Sequence, residues 1–406
     1  MKKTLLILAM AGALTACGGS SSDDASNGGT NPPPTSKTKT GVFTDGEISG
    51  VSYQTSSGLK GTTTEKGEFS FNEGDKVTFS IGKVQLGDST AAKARVTPLD
   101  LSTDNNVRDN LLVFLQSLDA NSKHDDGIQI NKNTVTLLET INPNLKFTQP
   151  ADKFVNDPVF TQIIEQTGTT IVTPELAKEN FKQTFYKDIA GVWQLSDGKV
   201  QVLLHIDGNG NYTLGQAAPR DDAGQSGVEA GNLGWNATTG KLNPAIQFDK
   251  NGEWGLSHPE ESGHFLSYGT ENNTLSLKEG EAQYIFKKVP NQANSLVGSW
   301  QMPDHIISFF SDNSYFLLYT GVYDGVENDC ADRGVEYGKY SATGNTLEAT
   351  EIYYDTTGCS GLVDSYVIGD LISGKYDLDL FKLTLKQDQL TIQYENEEPG
   401  VYQRIK

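Results

Sequence analysis

Cysteine, methionine and histidine are scarce in this 406-residue chain, at three, three and five residues. No His-Glu-x-x-His helix, Gly-x-Ser-x-Gly elbow, Walker A loop or Gly-x-Gly-x-x-Gly after a strand occurs. His124, His205, His258, His264 and His305 lack metal-ligand spacing, so they read as structural or solvated side chains. Positive charge is short as well: 32 Lys and Arg face 52 Asp and Glu, a net charge of −20 that repels nucleic acid and anionic lipid surfaces. With so many acids, neighbours such as Asp221-Asp222 and Glu260-Glu261 arise by chance and carry no catalytic weight. After the first few residues no apolar run approaches the ~20 residues of a membrane-crossing helix. Mean hydropathy is −0.43 with 36% apolar residues, lean but enough for small β cores. The 16 Tyr and 17 Phe add bulk that suits half-buried pleated surfaces.

The start of the chain is different. Lys2 and Lys3 precede an apolar stretch from Leu5 to Leu14 that is too short to span a bilayer. It ends in Leu14-Thr15-Ala16-Cys17, which resembles the bacterial lipobox. That resemblance implies a signal peptide over 1–16, cleavage before Cys17 and acylation of its thiol. Loss of Lys2 and Lys3 would take the net charge from −20 to −22. Gly18 and Gly19 follow with no aspartate at the sorting position, which by resemblance to enterobacterial lipoproteins implies the outer membrane. Residues 17–40 are rich in Gly, Ser, Asn, Thr and Pro and cannot bury enough apolar surface to fold. As a coil the 23 residues after Cys17 would span roughly 26 Å, a tether that leaves the folded body mobile. In an exported chain the remaining pair, Cys330 and Cys359, is expected to form one disulfide and leave no thiol for catalysis.

Residues 41–102 alternate apolar and polar side chains, as in Gly67-Glu-Phe69-Ser-Phe71 and Val77-Thr-Phe79-Ser-Ile81, between Gly-marked turns. Gly61-Thr-Thr-Thr-Glu-Lys-Gly67-Glu-Phe69 resembles the hairpin of transthyretin-like and carboxypeptidase-regulatory-like β modules, and the wider run from Gly41 through Val96-Thr97-Pro98-Leu99-Asp100-Leu101 resembles a module of many bacterial surface lipoproteins. That likeness implies a β-sandwich without a catalytic motif. Residues 103–187 switch to helical spacing, with Val107, Leu111, Leu112, Leu115 and Leu118 on one face and Asp104 as N-cap.

The rest of the chain is duplicated, as 188–290 and 292–406. Gly191-Val-Trp193 recurs as Gly298-Ser-Trp300, and Gly227-Val-Glu229 as Gly334-Val-Glu336, both 107 residues on. Each unit opens with Gly-x-Trp and closes with a basic residue, Lys287 (or Lys288) in the first and Arg404 in the second. The pattern resembles the calycin superfamily, which includes the lipocalins. It implies two eight-stranded antiparallel barrels, each with its Trp packed under the closing cation. With its own Trp and cation, each unit is expected to fold independently.

Asp119, Asn121 and Asp125 form a weak candidate calcium loop, though Lys123 interrupts it and no Glu stands at the twelfth position. Trp235, Trp254 and Tyr268 either line a barrel mouth or fill its interior, and filling is the expectation for eight strands. Between Gly321 and Asp370 the second unit departs most from the first, gaining the cysteine pair, Tyr323, Tyr353 and Tyr354, and a run of acids. Tyrosines on an acidic, pinned loop suit a basic protein or a small cationic ligand. The expected fold is mainly β with a small helical segment. The expected function is non-catalytic adhesion or capture by a lipid-anchored outer-membrane protein exposed at the cell surface. The alternative is a periplasm-facing accessory lipoprotein, with a hydrolase third and unsupported by any motif.

Overall fold

The computed structural model describes residues 37–141, 143–321, 332–364, 377–378 and 380–406, the last-but-one stretch by its backbone alone. Cys17, Tyr323, Cys330 and nearly all of the expected signal and tether lie outside these residues.

The protein is mostly β. Two small sheets form the N-terminal module: Lys39–Phe43 pairs with Glu68–Phe71 and Arg95–Val96, while Ser52–Thr55 lies between Lys60–Thr62 and Lys76–Ile81. Alternation puts Phe43, Phe69 and Phe79 between the sheets, and Phe43 stacks on Phe79 at 4.2 Å. Five α-helices follow among the described residues: α1 (Asn105–Ser117), α2 (Lys132–Ile141), α3 (Ala151–Phe154), α4 (Pro158–Thr167) and α5 (Pro174–Ile189). Asp104 caps α1 by accepting from the amides of Asn106 and Val107. Asp157 and Thr173 cap α4 and α5, each followed by a proline at the first helical position.

The second repeat is a closed barrel of eight antiparallel strands, from Gly298–Met302 round to Gly400–Arg404. The first repeat has the same strand sequence but stops short of closure. Its edges are Ala245–Asp249 and His264–Tyr268. Irregular backbone bridges the gap, with Leu242 N donating to His264 O (2.8 Å) and Leu266 N to Gly240 O (2.9 Å). Trp235 sits there, donating its indole N–H to Leu266 O (2.9 Å) and stacked on Phe185 of α5 at 3.9 Å.

These segments do not stand as beads on a string. One continuous core runs from Phe43 through α1 and α5 to Trp193 and Phe286. Arg95 of the N-terminal module lies 4.9 Å above the Tyr268 ring of the first repeat and pairs with Asp188 of α5. Tyr268 Oη donates to the same Asp188 carboxylate (2.8 Å). A second core joins the repeats back to back: Val192, Leu203 and Val228 meet Ile306, Leu318 and Val335. Independent folding of the repeats is therefore not what the packing favours, because separation would expose this apolar face.

Candidate functional site

Strand register places one row of residues equivalently in the two repeats. Trp193 pairs with Leu204, Leu204 with Leu214, Leu214 with Glu229 and Glu229 with Asp249. Trp300, Ile307, Leu317, Glu336 and Asp355 repeat that row in the second unit. Each Trp indole donates to the carbonyl four residues before it, Ile189 or Leu296, at 2.8 Å in both cases. In the second unit the guanidinium of Arg404 lies 3.9 Å over the Trp300 ring. In the first, the cation over Trp193 is Lys288 at 5.5 Å. Lys287, the expected partner, is exposed on the opposite face, because side chains alternate along the strand Ala282–Lys288.

Among the described residues, buried side chains occupy both interiors. Trp300, Ile307, Phe309, Tyr315, Leu347 and Leu390 fill the closed barrel, each at 0% exposure. Trp235, Trp254 and Tyr268 are buried as well, and the recess beside Trp235 and Tyr268 measures about 20 Å³, the scale of one water molecule.

Instead, each interior contains a carboxylate pair that motif searching misses. Glu229 accepts from the amides of Leu256 (2.7 Å) and Ser257 (3.2 Å). Glu336 accepts from the amide of Leu362 (3.0 Å) and from the Tyr315 hydroxyl. Both glutamates are fully buried. Burial pushes the Glu229 carboxyl up to about 7. Burial and the nearby Asp355 raise Glu336 in the same direction. Tyr212 holds the register place of Tyr315, and burial together with the Glu229 carboxyl raises its phenol. The glycines before the donor amides are required: a Cβ at Gly255 or Gly361 would fall 2.7 Å or 1.7 Å from the carboxyl of Glu229 or Glu336. The sequence did hold a signal, since Gly-Val-Glu and a later Gly-Leu occur in both units.

The two glutamates fasten a loop in each repeat and are sealed from solvent, whereas Asp249 is partly exposed. A hydroxyl, an imidazole and a carboxylate do meet at Ser257, His258 and Asp249, but without relay geometry. Ser257 Oγ (3.0 Å) and Asp249 Oδ2 (3.4 Å) both face the same nitrogen, His258 Nδ1. His264 is buried against Glu279 at 3.0 Å, and burial lowers His205 and His305.

The expected loop sites fare differently. Asp119 is buried, and its two oxygens accept from the amides of Gln129 and Lys123 (both 3.0 Å), closing the turn on itself. Asn121 also accepts from Lys123 N, and Asp125 is exposed. No group of three or more His, Cys, Asp or Glu able to hold a metal occurs among the described residues. Tyr354 is 5% exposed in the core between the repeats, which removes it from any ligand surface. Tyr353 is partly buried against Tyr337 and donates to Glu351 (2.6 Å). Of the acids attributed to that loop, Glu336 and Asp355 are interior. Cys359 is disulfide-bonded.

The open recesses lie on outer faces. A cleft of about 450 Å³ runs between the repeats, where Arg333 stacks 4.0 Å over Phe248 and donates to the carbonyls of Thr320 and Gly321. A shallower groove of about 800 Å³ lies on the outward face of the N-terminal sheet.

No protein-family model and no curated protein matches the chain. Among solved structures it has distant likenesses to bacterial sliding clamps. The Helicobacter pylori beta clamp bound to a DNA ligase peptide is 9% identical, with a TM-score of 0.11, over 56% of this chain and 64% of that one. The DNA polymerase III subunit beta of Pseudomonas aeruginosa is 8% identical, with a TM-score of 0.10, over 55% and 61%. The chain thus spans less than two thirds of either protein, and scores this low carry no argument about fold or function.

Proposed function

We propose that this is a lipid-anchored protein of the bacterial outer membrane that displays its body at the cell surface. There it binds a ligand or partner, in adhesion or capture, without converting it chemically. The lipobox-like Leu14-Thr15-Ala16-Cys17 and the low-complexity stretch behind it support the anchor and tether. The calycin-like repeats act as a filled scaffold, and Cys330 is the partner of Cys359. One observation carries the binding reading: buried side chains occupy the repeat interiors, while a ligand-sized recess of about 800 Å³ lies on the outward face of the N-terminal sheet. The sealed glutamates, unreachable by a substrate, support a non-catalytic role.

The anchor is tested by Cys17→Ala, which should abolish labelled-palmitate uptake and release the protein from the membrane fraction. Display is tested by protease added to intact cells. Cleavage of the folded body supports adhesion or capture, and protection would replace this reading with a periplasm-facing accessory role.

A further inference from the structure

The groove on the N-terminal module differs in charge from the rest of the chain. Its floor is the outward face of a sheet, and register sets the side chains in rows. Lys60, Gln54 and Thr78 form one row. Thr62, Ser52, Ser80 and Gln85 form the next. Lys76 stands beyond Thr78 on the same strand face, and Lys83 lies in the turn after Ile81. No Asp or Glu is among the described residues that line the groove, in a chain where acids outnumber bases 52 to 32. The ammonium groups of Lys60, Lys76 and Lys83 have no carboxylate partner among the described residues.

We propose that this face binds an extended uronic-acid polysaccharide, its hydroxyls meeting the Ser, Thr and Gln rows and its carboxylates meeting Lys60, Lys76 and Lys83. Strand spacing sets Lys60 and Lys76 on the order of 10 Å apart, so the charges are spread along a track. A linear polymer with one negative charge on many of its sugars matches that spread. Tyr53 is the one aromatic among the described lining residues and packs toward Phe69 at 5.8 Å, and the lining offers no arginine fork for a phosphate or sulfate. The backbone groups of Ser52–Thr55 are committed to ladders on both sides, so this face meets a ligand through its side chains, and the edge Lys60–Thr62 borders a free flank. At physiological salt the Debye length is about 8 Å, so the acidic body beyond the groove is largely screened from a bound chain. Three lysines give weak single-site binding, which many copies on one cell would multiply.

The inference rests on the surface-binding reading, yet the two fail separately. Full-length protein in detergent is tested against immobilised polygalacturonate, neutral dextran, dextran sulfate and poly-glutamate. Polygalacturonate should be preferred, with binding that weakens steeply from 50 to 500 mM salt. Lys60→Gln, Lys76→Gln and Lys83→Gln combined should weaken it about tenfold with an unchanged melt, from three surface charge contacts. The corresponding triple Lys→Arg variant should retain it. Equal binding of dextran, preference for dextran sulfate or poly-glutamate, or no loss in the Gln variant would overturn the proposal. Such a failure leaves surface display standing, whereas protection of the body on intact cells would remove display whatever the polymer assay gives.

Discussion

Glu229 and Glu336 occupy the same place in the two repeats, each opposite an aspartate on the next strand and each held by the backbone amide of a leucine that follows a glycine. A surface acid would drift after duplication. These two persist because each caps a loop inside a barrel, where an unpaired amide would cost about 1–3 kcal/mol.

The Glu229 carboxyl should make stability depend on pH in a defined window. Below its ordinary 4.5 both folded and unfolded chains keep the proton. Between 4.5 and about 7 the unfolded chain ionises while burial keeps the folded one protonated, so stability falls as pH rises. The loss is on the order of 3 kcal/mol across the window and constant above it. Glu229→Gln removes this titration at the cost of one weakened amide contact. Denaturant melts at pH 5 and pH 8 should show the variant gaining on the wild type at the higher pH, and an unchanged difference would refute the assignment.

Arg404 should matter more than Lys288. Arg404 is nearly buried and donates to the carbonyls of Val297 (3.2 Å) and Ser295 (2.7 Å) while lying 3.9 Å over its Trp. Lys288 stands 5.5 Å from its ring and makes one carbonyl contact. We expect Arg404→Met to cost about 2–3 kcal/mol and Lys288→Met about 1 kcal/mol. Trp300→Ala should cost roughly 3–5 kcal/mol. Chemical unfolding of the three variants ranks them directly, and Lys287→Met should be near neutral.

The seam between the repeats should tolerate no added side chain at Gly215. A Cβ there would lie 2.1 Å from Leu318 Cδ2 and 2.8 Å from Val335 Cγ1. Gly215→Val should cost about 1–3 kcal/mol by overpacking. Calorimetry on the full chain should show the repeats melting in one transition. Two separated transitions would mean that the seam contributes little.

Thiol titration of the unfolded, unreduced protein should find no free thiol other than at an unacylated Cys17. If Cys359 pairs with Cys330, the bridge closes a loop of about 30 residues, and reduction should lower stability by about 3–4 kcal/mol. Two reactive equivalents from this pair would contradict the bridge.

Much of the architecture was legible in residue order. Two-residue alternation in Glu68–Phe71, three-to-four spacing after Asp104 and the recurrence of Gly-x-Trp at 107 residues are local or periodic signals, and strands, a capped helix and repeats follow from them. A fixed fold unit also preserves register, which is why the repeated Gly-Val-Glu lands at one place in both barrels. The sequence could not say which of two adjacent lysines turns inward. Register with Trp193 decided for Lys288. Nor could it say that adjacent tyrosines of the strand Thr346–Asp355 divide, Tyr353 partly exposed and Tyr354 buried in the core between the repeats. Nor could it show that Trp235 stacks on Phe185, fifty residues earlier on a helix, beside the unclosed edge of the first repeat. Periodicity reports which face of a strand is apolar, while the partner that covers it is set by contacts between residues far apart in the chain.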